Sequence, residues 1–369
     1  MQEQGIDALL MRGTNDYLGG YVKWFTDLPA VAGYPVTLVY PRGGGMTYVS
    51  QGQFGLDRRL SGDEMPFRGI TRMLGAPGYA SASFTARYEM EAVAAALDAL
   101  SCSTVGVVGP ASLPYALMDH LRTAARYEFR DASELVDVIK MVKSAEEIEL
   151  IRRAAAMQDA CMEAIAAEIR PGMRDIEVGA IAERVARSHG SEQGVYLVGS
   201  APIGVAAPYG IHHYQGRVIE QGDYVSVLIE NSGPGGFYTE LGRTFVLGKA
   251  TEEMHRDMEL VLRAQDYTAS LLVPGASCAE VWNAYNEFLL QNGRAEEKRL
   301  FSHGQGYDLV ERPLIRHDES LSLGENMNIA CHPAFVSATF FATSCDGYLT
   351  GGARAKRLHR FPRGLVELG

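Results

Sequence analysis

Two stretches of this chain gather residue types that can move protons or hold a metal. Gly222 to Gly248 (GDYVSVLIENSGPGGFYTELGRTFVLG) reads as a tight β-hairpin closing on Thr239-Glu240-Leu241-Gly242-Arg243-Thr244. Ser302 to Pro313 (SHGQGYDLVERP) is a His-Gly-x-Gly loop followed by Asp308 and Glu311. Glycine-rich turns put these titratable side chains on backbone that reverses closely, which is the layout of an active site. A hairpin turning around Ser232 to Gly235 is expected to set Glu230 across from Tyr238. Alternation along the strands would then align Glu230, Tyr238 and Glu240 on one face. Two carboxyls on one face raise the pKa of one of them, which suits a proton shuttle.

Four histidines join this set. His212 and His213 precede Tyr214 in a loop before the hairpin, and imidazole titrates near neutral pH, so either can protonate a leaving nitrogen or take a proton from water. His303 lies in a glycine-flanked loop, where backbone approaches a ligand without a Cβ in the way. His332 stands before Pro333, which biases its backbone to extended geometry and aims its side chain. His212, His213, Glu240, His303 and His332 are the expected catalytic residues. Glu230, Tyr238, Glu311, Cys345 and Asp346 are the expected substrate-facing ones. Arg243 is expected to anchor the hairpin through a carboxylate, that of Glu311 or Asp346. Cys345 reads as an inert buried thiol, or as a nucleophile if His332 or His303 favours its thiolate. His303 and His332 are each, taken alone, more often hydrogen-bonded core residues than catalysts, His212 and His213 could be surface-loop residues, and the hairpin acids could be solvated; with Glu240, His303 and His332 together favour a working site.

Elements to position such residues are legible in the rest of the chain. Its 369 residues, 47% of them apolar, exceed what one core usually serves, so two domains are expected. The net charge is −11, the pI is near 5.4, and no run of five Lys or Arg occurs. That argues against a nucleic-acid or anionic-membrane surface and for a small-molecule substrate. No basic-then-apolar leader opens the sequence and no 18-residue apolar run occurs in it, so a cytoplasmic, membrane-free protein is expected. Five cysteines without a CxxC fit reduced thiols.

Residues 1–138 read as a small α/β domain: apolar runs at 8–11, 35–40 and 104–109 alternate with a helix over Met90 to Leu100. In residues 139–369, Ser144-Ala145-Glu146-Glu147 is a capping box that opens a long helix with Ile148, Ile151 and Ala155 on one side. That helix stops at Pro171-Gly172, a shorter one follows from Asp175 to His189, and strands fill Gly194 to Leu247. Ile169-Arg170-Pro171-Gly172 with Glu177-Val178 matches Leu272-Val273-Pro274-Gly275 with Glu280-Val281. The match implies two related halves, or chance, since Pro-Gly is a common helix stop.

With these pieces in place the chain resembles the creatinase and Xaa-Pro peptidase superfamily. The resemblance is carried by Gly5-Ile6-Asp7-Ala8-Leu9-Leu10, Asn15-Asp16-Tyr17-Leu18-Gly19-Gly20, Lys143-Ser144-Ala145-Glu146-Glu147-Ile148 and the two stretches quoted first. It implies an α/β (α+β) fold, a small N-terminal α/β domain followed by a pita-bread domain with a pseudo-twofold curved antiparallel sheet. In the peptidase branch two metals are held by two Asp, one His and two Glu. Here the second Asp is Glu240, and the first falls at Leu228 or at Glu230 depending on the hairpin. His303 keeps the histidine position, the Glu before a proline is His332, and the Glu before an Asp is Cys345. Bridging carboxylates must offset four positive charges, so a two-metal site is not expected from this set.

The metal-free branch typified by creatinase works with histidine and glutamate, although its glutamate directly before Arg-Thr is Gly242 here. The resemblance therefore implies a metal-independent hydrolase without a cofactor, cutting a C–N bond of a small polar substrate. A lyase or decarboxylase on the same residues is its variant. A second reading places one Fe, Mn or Zn ion on Glu240, His303 and His332, with Cys345 as an optional fourth ligand, and a third is a non-catalytic binding module. A homodimer is also implied, the small domain of one subunit covering the other's site, with Tyr17, Tyr21, Trp24 and Phe25 in the cover.

Overall fold

The computed structural model describes residues 1–14, 17, 20–28, 34–124, 126–210 and 216–369. They form two units, Met1–Lys140 and Met141–Gly369.

The first unit runs β1 (Ala8–Gly13), α1 (Gly20–Thr26), β2 (Val36–Pro41), β3 (Met46–Ser50), β4 (Asp57–Arg59), β5 (Ile70–Gly75), α2 (Arg87–Asp98), β6 (Thr104–Val108), α3 (Tyr115–Thr123), β7 (Glu128–Asp131) and α4 (Ser133–Lys140). Its seven-stranded sheet has the order β4-β5-β3-β2-β1-β6-β7, with β1 antiparallel to β2 and parallel to β6. Both faces are covered, which is why β1 and β6 read as continuous apolar runs rather than alternating ones. Ala8 and Leu10 pack with Val93, Leu97 and Leu117 from α2 and α3, whereas Leu9 and Met11 pack with Val22 of α1 and Val136 of α4.

The second unit is a duplication. Its first half is α5 (Ala145–Glu168), α6 (Asp175–Ser188), β8 (Gly194–Pro202), β9 (Asp223–Ser232) and β10 (Tyr238–Leu247). The second half is α7 (Glu252–Leu271), α8 (Cys278–Gln291), β11 (Ser302–Gly304), β12 (Glu311–Leu314), β13 (Asn328–Cys331), β14 (Ala334–Val336), β15 (Phe341–Thr343), β16 (Asp346–Leu349) and β17 (Lys356–Arg357). The last strand, β18 (Leu365–Leu368), returns to the first half and pairs parallel with β10. The two larger sheets have the orders β18-β10-β9-β8 and β12-β11-β13-β16-β17, and β14 pairs with β15 in a third.

The matched Pro-Gly segments are physically equivalent. Gly172 N–H bonds to Ile219 O at 2.8 Å, and Gly275 N–H bonds to Leu323 O at 2.7 Å. Asp175 N–H likewise bonds to Arg217 O, and Cys278 N–H to Leu321 O. Each helix pair is thus tied to its own half by the same two bonds, which settles the repeat in favour of duplication. The Ser144 capping box is formed at both ends: Ser144 Oγ accepts from Glu147 N at 3.2 Å, and Glu147 Oε2 accepts from Ser144 N at 2.7 Å. Ile148, Ile151 and Ala155 are all buried, and Met162 and Ile165 extend the stripe, each large one contributing roughly 1.5–3 kcal/mol.

The hairpin differs from its expected register. Glu230 lies opposite Glu240, and Tyr238 lies opposite Ser232. The reversal falls later because Gly235 and Gly236 both take positive φ, 87° and 85°, so Ser232 still pairs and the loop spans 233–237. Val225, Val227, Ile229, Leu241 and Phe245 face the core under α5 and α6, so Glu230 and Glu240 must point to the other side of the sheet. Backbone bonds between Gly242 and Cys345, at 3.1 and 3.2 Å, join the two sheets beside that face. Among the described residues no helix is long and apolar enough to cross a membrane.

Candidate active site at the join of the two sheets

Five elements of the second unit bring side chains to this join. Glu230 comes from β9, Glu240 from β10, His303 from β11, His332 from the end of β13 and Cys345 from the start of β16. Of the two candidates for the first position of the peptidase ligand set, Glu230 faces Glu240 across the ladder and Leu228 faces Gly242. Glu240 is 1% exposed. Its Oε1 accepts from the Cys345 thiol at 3.0 Å, and its Oε2 lies 3.6 Å from His303 Nε2 and 3.5 Å from the Gln305 amide. The His303 and His332 rings meet edge to face, 5.3 Å between centroids. Candidate ligand atoms of Glu240, His303 and His332 all lie within 4.8 Å of one another.

Hydrogen bonds fix what these rings offer. His303 Nδ1 sits 3.0 Å from Gly304 O, and a carbonyl only accepts, so Nδ1 carries the proton and Nε2 presents its lone pair. His332 is held by its backbone, N–H to Phe301 O at 2.8 Å, and its Nε2 is buried without a hydrogen-bond partner.

Burial dominates the titration behaviour. It pushes the Glu240 carboxyl well above the usual carboxylate range, the facing Glu230 pushing the same way and the Cys345 hydrogen bond opposing. Glu230, half-buried, is raised by the same loss of solvent. Burial drives His303 down to about 4 and His332 well below its usual value, His303 adding to the effect on His332. The Cys345 thiol is pushed far up by burial and then by Glu240, so it stays protonated and is no nucleophile. The cluster at neutral pH is two neutral imidazoles, a thiol and a carboxyl pair that resists full ionisation.

The remaining expected residues are placed differently. Asp346, fully buried, takes Arg243 Nη2 at 2.8 Å and Arg357 Nη1 at 3.3 Å. Arg243 is thus anchored by Asp346; the alternative partner, Glu311, is ion-paired with Lys143 in a buried contact. Asp346 is thus held by one of the cations expected for it, and Glu311 by Lys143, a partner that sequence spacing does not reveal, while Glu311 still acts on His303. Arg243 also donates to the carbonyls of Gly242, Cys345, Phe361 and Pro362, which fastens β10 to β16. Tyr238 is buried two residues before Glu240, its backbone N–H on Gly306 O and its carbonyl on the Asn328 amide. His212 and His213 lie outside the described residues.

Several supports escape a sequence reading. Gln305 stands inside the His-Gly-x-Gly loop, the one place where a sequence signal existed. Gln158, midway along α5, donates to Ile229 O at 3.2 Å, Thr239 O at 2.7 Å and Asn231 Oδ1 at 2.7 Å, bracing the strands on both sides of the two glutamates. Its Oε1 accepts from His359 Nε2 at 2.8 Å, and His359 Nδ1 accepts from Gly347 N. Gly242 is required by crowding: a Cβ there would lie 2.9 Å from Tyr209 Oη and 3.0 Å from Cys345 Cβ. The glutamate that creatinase carries at this point therefore has no room here.

Comparisons with known proteins agree with this architecture. Residues 149–357 match metallopeptidase family M24. The Xaa-Pro dipeptidase of Pyrococcus furiosus is 26% identical over 272 residues, 71% of this chain and 75% of that protein. Creatinase of a Bacillus species is 27% identical over 237 residues, 59% of this chain and 56% of its own length. An X-Pro aminopeptidase structure from Thermotoga maritima superposes with a TM-score of 0.82 at 18% identity, covering 100% of this chain and 97% of that one, a likeness of fold.

Proposed function

Since the chain belongs to metallopeptidase family M24 and is a hydrolase of C–N bonds, we propose that it cleaves such a bond in a small polar substrate at the Glu230, Glu240, His303 and His332 cluster. The observation that carries the reading is the convergence of Glu240 from the first half and His303 and His332 from the second onto one buried point, with Glu230 facing Glu240 across the ladder. Groups so strongly shifted by burial gather where chemistry is done.

The two-ion centre of the peptidase branch does not fit. Two divalent ions bring four positive charges, and only Glu230 and Glu240 are available to offset them, because Asp346 and Glu311 already neutralise Arg243 and Lys143. Hydrolysis needs a positioned water, which gives hydroxyl to the carbon, and a proton for the departing nitrogen. Glu240 Oε2, His303 Nε2 and His332 Nε2 turn electron pairs inward, an arrangement that fixes an electron-poor partner. Glu230, held close to Glu240 and above its usual pKa, is the proton carrier for the leaving nitrogen. The Cys345 thiol and the Gln305 amide hold the Glu240 carboxylate in place.

The dipeptidase relative makes an Xaa-Pro dipeptide the first substrate to try, beside small amides and amidines. Release of free amine is the readout. Glu240→Gln is expected to lower it by about 10²–10⁴-fold with cooperative melting retained. Amine release that is equal in wild type and variant would refute the reading.

A further inference from the structure

Resting on the hydrolase reading, we propose that Glu240, His303 and His332 hold a single divalent ion of the zinc or iron(II) kind where the family's carboxylate set suits a pair. Three observations lead there. First, the spacing is right for one ion: ligands bonded at about 2.0–2.2 Å in a tetrahedron stand about 3.5 Å apart. His303 Nε2 and Glu240 Oε2 are already 3.6 Å apart, and His332 lies within the same 4.8 Å group.

Second, the donors are poised for a cation. His303 gives its Nδ1 proton to the Gly304 carbonyl, the outer-shell contact that turns Nε2 toward a metal. His332 Nε2 is buried and unpartnered. Three electron pairs meeting in a dry pocket repel one another unless something positive sits among them.

Third, the charge suits one ion rather than two. Glu240 is the acid in contact with the histidines, and among the described residues the neighbouring acids Asp346 and Glu311 are already ion-paired with Arg243 and Lys143. Two imidazoles and one carboxylate favour zinc or iron over magnesium or calcium, which prefer oxygen throughout. The Cys345 thiol stays outside the ligand set: it donates to Glu240 Oε1 at 3.0 Å and so turns Oε2 toward His303. A fourth position is left for water or substrate, as in catalytic zinc sites.

The test uses the full chain, stripped with chelator, desalted and loaded with zinc chloride or, without oxygen, ferrous salt. Elemental analysis is expected to give about one ion per chain, with magnesium and manganese washed out. His332→Ala and Glu240→Gln are expected to retain less than about a tenth of an ion, since losing one of three ligands costs at least 10–100-fold in affinity. Zinc should raise the wild-type Tm and leave that of His332→Ala unmoved, a comparison that also shows the variant folded. Cys345→Ser should keep its ion. Two ions per chain, none, or zinc retained equally by His332→Ala would overturn the proposal, and loss of the ion from Cys345→Ser would overturn the three-ligand assignment. No bound ion with amine release intact sinks this inference and spares the hydrolase reading; one bound ion without amine release does the reverse.

Discussion

At Glu240 burial, a facing acid and a thiol act on one carboxylate, and each comes from a different stretch of chain. Glu240, His303 and His332 were legible from motif and spacing. The structure brings their candidate ligand atoms within 4.8 Å of one another. Asp346 was one of the two partners expected for Arg243, whereas the pairing of Glu311 with Lys143 was not legible, because it spans 168 residues. Arg243→Met would leave the buried Asp346 short of its main cation, an expected loss of about 3–5 kcal/mol in urea unfolding. A loss under about 1 kcal/mol would show that Arg357 alone suffices. Gly242→Glu, which restores the creatinase-like residue, should collide with Tyr209 and Cys345 and cost at least about 3 kcal/mol by the same assay. Unchanged stability would mean that the pocket opens freely there.

Among the elements, helix starts and stops were well marked, since the Ser144 box and the two Pro-Gly breaks act through neighbouring backbone. The hairpin register was missed by two residues, Glu230 facing Glu240 rather than Tyr238, because it depends on which glycine of Gly233, Gly235 and Gly236 carries the reversal. The brace through Gln158 and His359 left no trace in the sequence: a glutamine inside a helix looks solvated, and its histidine is 201 residues away. Burial drives His359 down to about 4 from an ordinary 6.5. Above pH 6.5 both folded and unfolded chains hold it neutral, so its contribution is fully present there. As pH falls toward about 4 the unfolded chain takes a proton that the folded chain refuses, and up to about 3 kcal/mol is lost. The Tm of wild type should thus fall more steeply between pH 6.5 and 4.5 than that of His359→Gln, and parallel slopes would refute the assignment.

At the scale of the whole molecule, the two-unit division and the duplicated second unit follow from apolar runs and a short repeat, which are patterns of core formation rather than of chemistry. Residues 1–140 carry two apolar clusters of their own, one on each face of their sheet. Expressed alone, they are expected to melt cooperatively by circular dichroism, and a non-cooperative trace would show that those clusters do not suffice. The pairing of β10 with β18 bears on how the chain comes off the ribosome. Leu247 is synthesised well over a hundred residues before Leu365, so the edge of β10 waits roughly 6–24 s for its neighbour at about 5–20 residues per second. Arg243 waits for Asp346 over nearly the same interval. Throughout translation of the second half, the nascent first half exposes an open strand and an uncompensated guanidinium, the kind of surface that chaperones shield and that stalled synthesis would leave prone to aggregation.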